Sequence, residues 1–109
     1  MSDTVPTRYI VLVQFDKTDK SLERLGQAAT AVKRIIDQTS AGEYEVAFMS
    51  ADGKTMGFVM KSGKHPNVIR VALETDPGTQ GQDSFLVLEL GEQFSGHGFS
   101  RAWTWLQHH

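Results

Sequence analysis

The sequence predicts an α+β fold in which strands and helices alternate in the order strand, helix, strand, strand, helix, strand, followed by a terminal helix. Three observations predict it: a helical period of apolar residues, an Asp-Gly hairpin signal, and strands that are apolar at both parities. The chain has 109 residues, enough for one core, so we treat 1–109 as a single domain.

The first two elements have the clearest patterns. Arg8–Phe15 has the length and the branched residues of a strand, and both of its faces are apolar, as in a strand buried on two sides. Between Thr18 and Thr39, apolar residues recur every three or four positions, which predicts an amphipathic helix. We expect Thr18 or Asp19 as its N-cap, and Gly42 as the left-handed residue just past its end.

A β-hairpin is predicted next, because Glu43–Ser50 and Thr55–Lys61 flank the dipeptide Asp52-Gly53. This dipeptide favours a two-residue type I′ turn, which needs positive φ at both central positions. With that turn, Met49 would lie opposite Met56. The same register places Ala47 opposite Phe58 and Glu45 opposite Met60.

Residues His65–Glu74 fit two structures. Pro66 suits the first position of a helix, which we favour, although Ile69, Val71 and Leu73 also alternate as in a strand. A loop and an apolar strand, Ser84–Gly91, follow, and then a short helix that carries both tryptophans. This order matches the ferredoxin-like βαββαβ plan with an added C-terminal helix.

Strands that are apolar on both faces need cover on both faces, because soluble monomers rarely expose large apolar patches. Two helices of such a fold cover only one face. The other face would be covered by the terminal helix, through Phe99, Trp103 and Leu106, or by a second copy of the chain. We expect a homodimer, and the candidate interface residues are Met49, Met56, Phe58, Met60, Trp103 and Trp105, although the methionines would serve equally well as core residues.

The turn before the terminal helix is a candidate ligand site. Gly96, His97 and Gly98 allow a close approach of backbone, and Arg101 adds positive charge near a helix N-terminus, which together suit a phosphate or carboxylate. The alternative is structural: the glycines permit a sharp corner, and Ser95 or His97 caps the helix.

The first strand ends in an aromatic residue followed by an aspartate, Phe15-Asp16. In this respect it resembles the first strand of Cas2-type proteins, which are small ferredoxin-like dimers associated with nucleic-acid processing. The resemblance covers this strand and the general order of elements. It implies that Asp16 binds a metal ion at a dimer interface, and a single carboxylate with waters is a known way to bind Mg²⁺.

Composition limits the function classes. The net charge of −2 gives no general attraction to nucleic acid or membranes, and the chain lacks cysteine and any long apolar run. The stretch from Lys54 to Arg70 is locally basic, but we do not favour nucleic acid as a partner. No set of residues predicts a nucleophilic enzyme, and none predicts a cofactor. We therefore expect a cytoplasmic, non-catalytic association module, a homodimer or an accessory subunit that binds another protein, with metal-dependent nucleic-acid processing or anion binding as the alternatives.

Overall fold

The computed structural model describes residues 6–16, 18, 21–79, 82–91, 93, 95 and 97–109. In this part of the chain, four strands and three helices form an α+β structure. Their bounds are β1 Thr7–Gln14, α1 Leu22–Ser40, β2 Tyr44–Met49, β3 Thr55–Ser62, α2 Pro66–Thr75, β4 Ser84–Leu90 and α3 Ser100–His108.

The four strands form one sheet in the order β2-β3-β1-β4, and every neighbouring pair is antiparallel. The central strand β1 pairs with β3 and with β4. The edges of the sheet are β2 and β4. Because successive side chains of a strand point to opposite faces, each strand contributes to two separate packing layers.

One face of the sheet, which we call the helix-covered face, packs against α1 and α2. Its side chains interdigitate with apolar residues of both helices, and most of them have almost no exposed surface. This core consists of Tyr9, Val11, Val13, Phe15, Met56, Phe58 and Met60 from the sheet region, with Ala28, Val32, Ile35, Ile36, Ile69 and Leu73 from the helices.

Helix α1 begins later than the sequence predicts. Its N-cap is Ser21, whose hydroxyl accepts a hydrogen bond from the Arg24 amide at 3.2 Å. The predicted cap Thr18 is wrong, because its hydroxyl instead donates to the Asp16 carboxylate at 2.7 Å, and Asp19 lies outside the described residues. At the other end Ala41 itself is left-handed, with φ of 52°, and Gly42 follows with φ of 82°.

The predicted hairpin forms, but its turn is not type I′. Of the residues between β2 and β3, Gly53 alone has positive φ. The Gly53 amide donates to the Ser50 carbonyl, and the Asp52 carboxylate accepts from the Ser50 hydroxyl at 2.6 Å and the Lys54 amide at 3.0 Å. These two hydrogen bonds, of which the Ser50 bond matters most, lower the pKa of Asp52. The side chain of Asp52 thus stabilises a longer turn than the dipeptide alone predicts.

A β-bulge changes the hairpin register. Met49 lies opposite Met56 as predicted, but the register shifts between Val46 and Phe48. As a result Val46, and not Ala47, lies opposite Phe58. Tyr44, and not Glu45, lies opposite Met60. The bulge inserts one extra residue into β2, so the predicted pairing is wrong by one residue beyond it.

Residues 66–75 are helical, which confirms the favoured prediction for this segment. Pro66 occupies the start of α2, and Nδ1 of His65 accepts a hydrogen bond from the Asn67 amide at 3.1 Å. The Tyr9 hydroxyl donates to the Lys64 carbonyl at 2.9 Å and thereby ties the preceding loop to β1. Burial raises the pKa of Tyr9, and the nearby charge of Glu89 adds to this effect.

A buried ion pair fixes the start of α1 to the loop before β4. Both nitrogen atoms at the end of the Arg24 side chain donate to the Asp83 carboxylate, at 2.9 and 3.0 Å. The Asp83 side chain is 0% exposed and also accepts a hydrogen bond from the Asp16 amide at 2.9 Å. Three separate segments of the chain therefore meet at one carboxylate.

Within the described residues, none of the helices combines the length and the hydrophobicity needed to cross a membrane.

Candidate functional site

The side of the sheet opposite α1 and α2, which we call the second face, carries a ladder of aliphatic side chains. Leu86 lies opposite Leu12, and Leu88 lies opposite Ile10, so four apolar residues of β1 and β4 are neighbours. Leu86 is 51% exposed and Leu88 is 44% exposed, whereas Ile10 and Leu12 are half-buried. We call these four residues the leucine patch.

Helix α3 covers another part of the second face, as the apolar parity of the strands predicts. Ala102 and Trp105 form a small buried cluster with Val59 of β3, and Ala47, Leu90 and Leu106 pack around it. The predicted contact face is only partly right, because Phe99 is 56% exposed and Trp103 is half-buried. The residues that α3 buries are Ala102 and Trp105.

Polar contacts join both ends of α3 to the sheet. Near its start, the Arg101 guanidinium lies 3.9 Å from the Glu45 carboxylate on β2. Near its end, the Leu106 carbonyl accepts a hydrogen bond from Arg8 on β1 at 3.4 Å. The helix thus lies against β2 and β3, the Arg8 side chain links its end to β1, and Leu86 and Leu88 of the leucine patch stay exposed beside it.

The β2 bulge shapes the floor next to α3. It places the Phe48 ring directly over Gly57, where a β-carbon would lie only 2.3 Å from a ring atom. The same ring meets Phe99 edge-on, with ring centroids 6.0 Å apart. A glycine in the interior of β3 is therefore needed for this close approach.

A groove of about 260 Å³ lies between α3, the segment that precedes it and the sheet. Its floor includes Ile10 and Val59, and Trp103 and Leu106 of α3 form one wall. Polar groups come from Ser95 and His97, which also line it. A mostly apolar groove with a few polar groups is the usual form of a site for an apolar group or small molecule.

The predicted anion site is not brought together as one cluster. His97 lines the groove, whereas Arg101 lies in a separate depression with Glu45, whose carboxylate partly offsets its charge. Gly98 has φ of 91°, in keeping with a glycine at a sharp corner, and Gly96 lies outside the described residues. The predicted cap from Ser95 or His97 is wrong, because the N-cap is Phe99 and no side chain of the described residues makes a capping hydrogen bond to the helix.

The predicted metal ligand Asp16 follows the end of β1 and is half-buried. One of its carboxylate oxygens accepts hydrogen bonds from both the amide and the hydroxyl of Thr18, at 2.9 and 2.7 Å. The nearby Asp83 carboxylate is paired with Arg24. Among the residues that the structure describes, no three His, Asp or Glu side chains form a group that could hold a metal ion.

The predicted interface residues lie in different places. Met56, Phe58 and Met60 have 0% exposure and belong to the helix-covered core, so they offer no surface to a second molecule. They are core residues because they lie opposite Val13, Val11 and Tyr9 of β1, whose side chains point towards α1 and α2. Of the others, Met49 is 47% exposed, Trp103 is half-buried, and Trp105 of α3 is buried in the cluster with Val59 of β3.

The locally basic stretch is divided by the fold. Lys54 precedes β3 and Lys64 follows it, so an eight-residue strand separates them. Arg70 forms an ion pair with Glu74 one turn further along α2, at 2.7 Å. The structure therefore does not gather these cations into one groove.

Two features of the site were missed by sequence reasoning. The leucine patch was not predicted. The available signal was that Leu86 and Leu88 alternate along β4, the last strand in the sequence, which lies at an edge of the sheet. The closeness of Phe48 to Gly57 was also missed, and the isolated glycine inside a strand was the available signal.

Comparisons with models of protein families, with curated proteins and with solved structures give no match to this chain. The resemblance to Cas2-type proteins therefore continues to depend on Asp16 and the order of elements alone.

Proposed function

We propose that this chain functions by association, without catalysis of its own, and that the second face of the sheet is its binding surface. The favoured partner is a second copy, which makes a homodimer; an accessory role beside another protein is the related alternative. The observation that carries the proposal is the exposure of Leu86 and Leu88 on the same face as the half-buried Ile10 and Leu12.

The energetic argument concerns what this exposure costs. Removing a large aliphatic side chain from water stabilises a protein by about 1.5–3 kcal/mol when burial is complete. Two leucines that are about half exposed therefore leave about 1.5–3 kcal/mol in total available to a partner. Because β4 is also an edge strand, a partner could contact both its face and its unpaired edge.

The experiment is sedimentation velocity of the full chain over a range of concentrations, which we expect to show a concentration-dependent dimer. The double variant Leu86→Lys with Leu88→Lys should weaken the dimer at least about tenfold, because two charges would be desolvated. The matched control is Val68→Lys with Val71→Lys, since these valines of α2 are 50% and 42% exposed on another surface. A strict monomer at high concentration, or equal weakening by both variants, contradicts the proposal.

The finer fold assignment is part of the same proposal: we propose the ferredoxin-like plan with an added C-terminal helix. The order of elements and the all-antiparallel sheet with the order β2-β3-β1-β4 support it. An experimental structure with this connectivity and with α1 and α2 on one face would test it. A cytoplasmic location is likewise proposed, and cell fractionation tests it.

Metal-dependent nucleic-acid processing is the alternative function. It is supported by the position of Asp16 just beyond a central strand, at the surface of the molecule. Incubation of the protein with RNA or DNA and Mg²⁺ or Mn²⁺ tests it. Cleavage that is equal in the wild type and in Asp16→Ala would remove this residue from the mechanism.

A further inference from the structure

We propose that two copies pack through their second faces, with α3 of each copy lying over the leucine patch of the other while it stays on its own sheet. This inference rests on the proposed homodimer and names the arrangement of its interface. It gives Leu86 and Leu88, which are 51% and 44% exposed in the single chain, a cover that the chain itself does not provide.

One side of α3 is apolar and faces the uncovered half of the second face. The residues on this side, which we call the α3 seam, are Phe99, Trp103 and Leu106. They line the groove whose floor includes Ile10, and Ile10 also belongs to the leucine patch. The other side of α3 lines a separate depression with Glu45 of β2, through Ser100, Arg101, Thr104 and His108. The seam and the leucine patch therefore form one continuous apolar trough.

The trough has room for one more helix. The backbone of α3 lies close to β2 and β3 and, among the described elements, not to β1 or β4. Two strands occupy a width of about 10 Å, and a helix with its side chains has a diameter of about 10–12 Å. A second helix can therefore lie beside α3 on the half of the face formed by β1 and β4.

A two-fold axis along the strands, midway between two facing sheets, places the partner's α3 in this space. A nine-residue helix is about 13 Å long, and it stays beside two strands about 5 Å apart, so it runs mainly along them. Rotation about an axis in that direction leaves the two α3 helices parallel, and each seam residue meets its own copy. The seam spacing, four residues and then three, is that of the contact positions in a parallel two-stranded coiled coil.

The charges of the second face permit such a contact between identical surfaces. Among the described residues, neither the groove nor the leucine patch contains Lys, Arg, Asp or Glu. Thr104 and Gln107 lie opposite the buried Ala102 on the helix, so they would contact the partner's leucines, and both are uncharged. Arg101 and Glu45 lie on the side of α3 away from the seam. The interface therefore buries no unpaired charge.

The area that an interface needs favours use of the whole face. A strip two strands wide and as long as β4 has a footprint of about 240 Å², so leucine patches alone would bury about 500 Å² in total, as in a crystal contact. The full width of four strands doubles this to about 1,000 Å², which is where specific interfaces begin. We therefore expect a reversible dimer that includes α3.

A disulfide between identical positions tests the pairing of the two helices. The chain contains no cysteine, so each single substitution introduces one thiol. After oxidation at a concentration where the protein sediments as a dimer, we expect Trp103→Cys to give a covalent dimer on a non-reducing gel. The matched control is Thr104→Cys, which is the next residue and more exposed but lies away from the seam. It should remain a monomer on the gel.

The outcomes separate this inference from the proposed homodimer. If the protein sediments as a dimer but Thr104→Cys cross-links as readily as Trp103→Cys, or neither cross-links, the pairing of α3 is overturned and the homodimer stands. A wild-type protein that is always monomeric overturns both.

A second measurement does not depend on the geometry of a disulfide. Trp103→Lys should weaken the dimer at least about tenfold in sedimentation velocity, because two like charges would meet at the seam. His108→Lys, on the side of α3 that lines the depression with Glu45, should leave it unchanged. Circular dichroism establishes that both variants are folded. Equal dimerisation of the two folded variants overturns the inference.

Discussion

On the helix-covered face of the sheet, Met56, Phe58 and Met60 have no exposed surface, whereas on the second face Leu86 and Leu88 remain about half exposed. Both faces are built from apolar residues of the same strands, and the difference lies in what covers them. The first is covered by α1 and α2, of 19 and 10 residues, and the second in part by α3, of 9 residues. The apolar parity of a strand therefore predicts that a face needs cover but not how complete that cover is.

The largest expected effect compares one aromatic residue from each face. Phe58→Ala should lower the free energy of unfolding by about 3–5 kcal/mol, because it leaves a cavity in the closed core. Trp105→Ala should cost only about 1–3 kcal/mol, since it removes the burial of one side chain in a small cluster beside the exposed part of the second face. Urea denaturation followed by far-ultraviolet circular dichroism measures both. Equal losses would mean that α3 folds as one unit with the core.

The second prediction compares three ion pairs. One joins α1 to the loop before β4, one joins α1 to the end of α2, and one joins α3 to β2. Arg24→Ala should destabilise by about 3–5 kcal/mol, because it leaves the carboxylate of Asp83 buried and without its partner arginine. Its controls, Arg34→Ala on the same helix and Arg101→Ala on α3, should each cost about 0–1 kcal/mol, because these arginine side chains are 47% and 74% exposed. Thermal unfolding of the three variants checks this order. A large loss for Arg101→Ala would contradict this order.

The third prediction tests the floor of the second face. Gly57→Ala should cost about 1–3 kcal/mol, because its β-carbon would overlap the Phe48 ring and force it to move. In a Phe48→Ala background the same change should cost clearly less, which a double-mutant cycle measures. An unchanged cost in that background would show that the ring is not what excludes a side chain at position 57.

Much of the helix-covered face could be predicted from sequence, because a regular period identifies a buried stripe. The helical period predicted α1, and Pro66 favoured a helix over a strand for α2. The register of β2 could not be predicted in the same way, since the bulge depends on the packing of Phe48 over Gly57 and not on a local pattern. The Asp-Gly dipeptide predicted the place of the turn but not its type, which the Ser50 and Asp52 side chains determine.

The second face was harder to predict for a similar reason. The short helix α3 carries apolar residues on several sides, among them Trp103, Trp105 and Leu106. Its sequence alone therefore does not show which side faces the sheet. Contact with the sheet buries Ala102 and Trp105. The anion site stays a prediction, and spacing in sequence does not fix the direction of its side chains: His97 lines the groove, while Arg101 lies near Glu45. Leu86 and Leu88 are exposed because α3 covers only part of the second face, and no local sequence pattern encodes how much of a face is covered.

The smallest expected effect concerns the turn between β2 and β3, which contains Asp52. Because the folded state lowers the pKa of Asp52, its ionised form stabilises the fold. This contribution is fully present above the pKa that aspartate has in the unfolded chain, and it is lost as the pH falls through the lower pKa of the folded state. We expect the stability of the wild type between pH 5 and about pH 3 to fall slightly more than that of Asp52→Asn. Parallel slopes in thermal melts over this range would contradict it.

The two tryptophans of the chain, Trp103 and Trp105, are both in α3. Intrinsic indole emission from this protein is therefore an optical label on a single short helix. A shift of its wavelength reports the wetting of that helix, while the hydrophobic interior beneath α1 and α2 contributes no signal of this kind. Fluorescence and circular dichroism consequently follow different parts of the same molecule, and a gap between their unfolding midpoints would directly give the stability of one layer relative to the other.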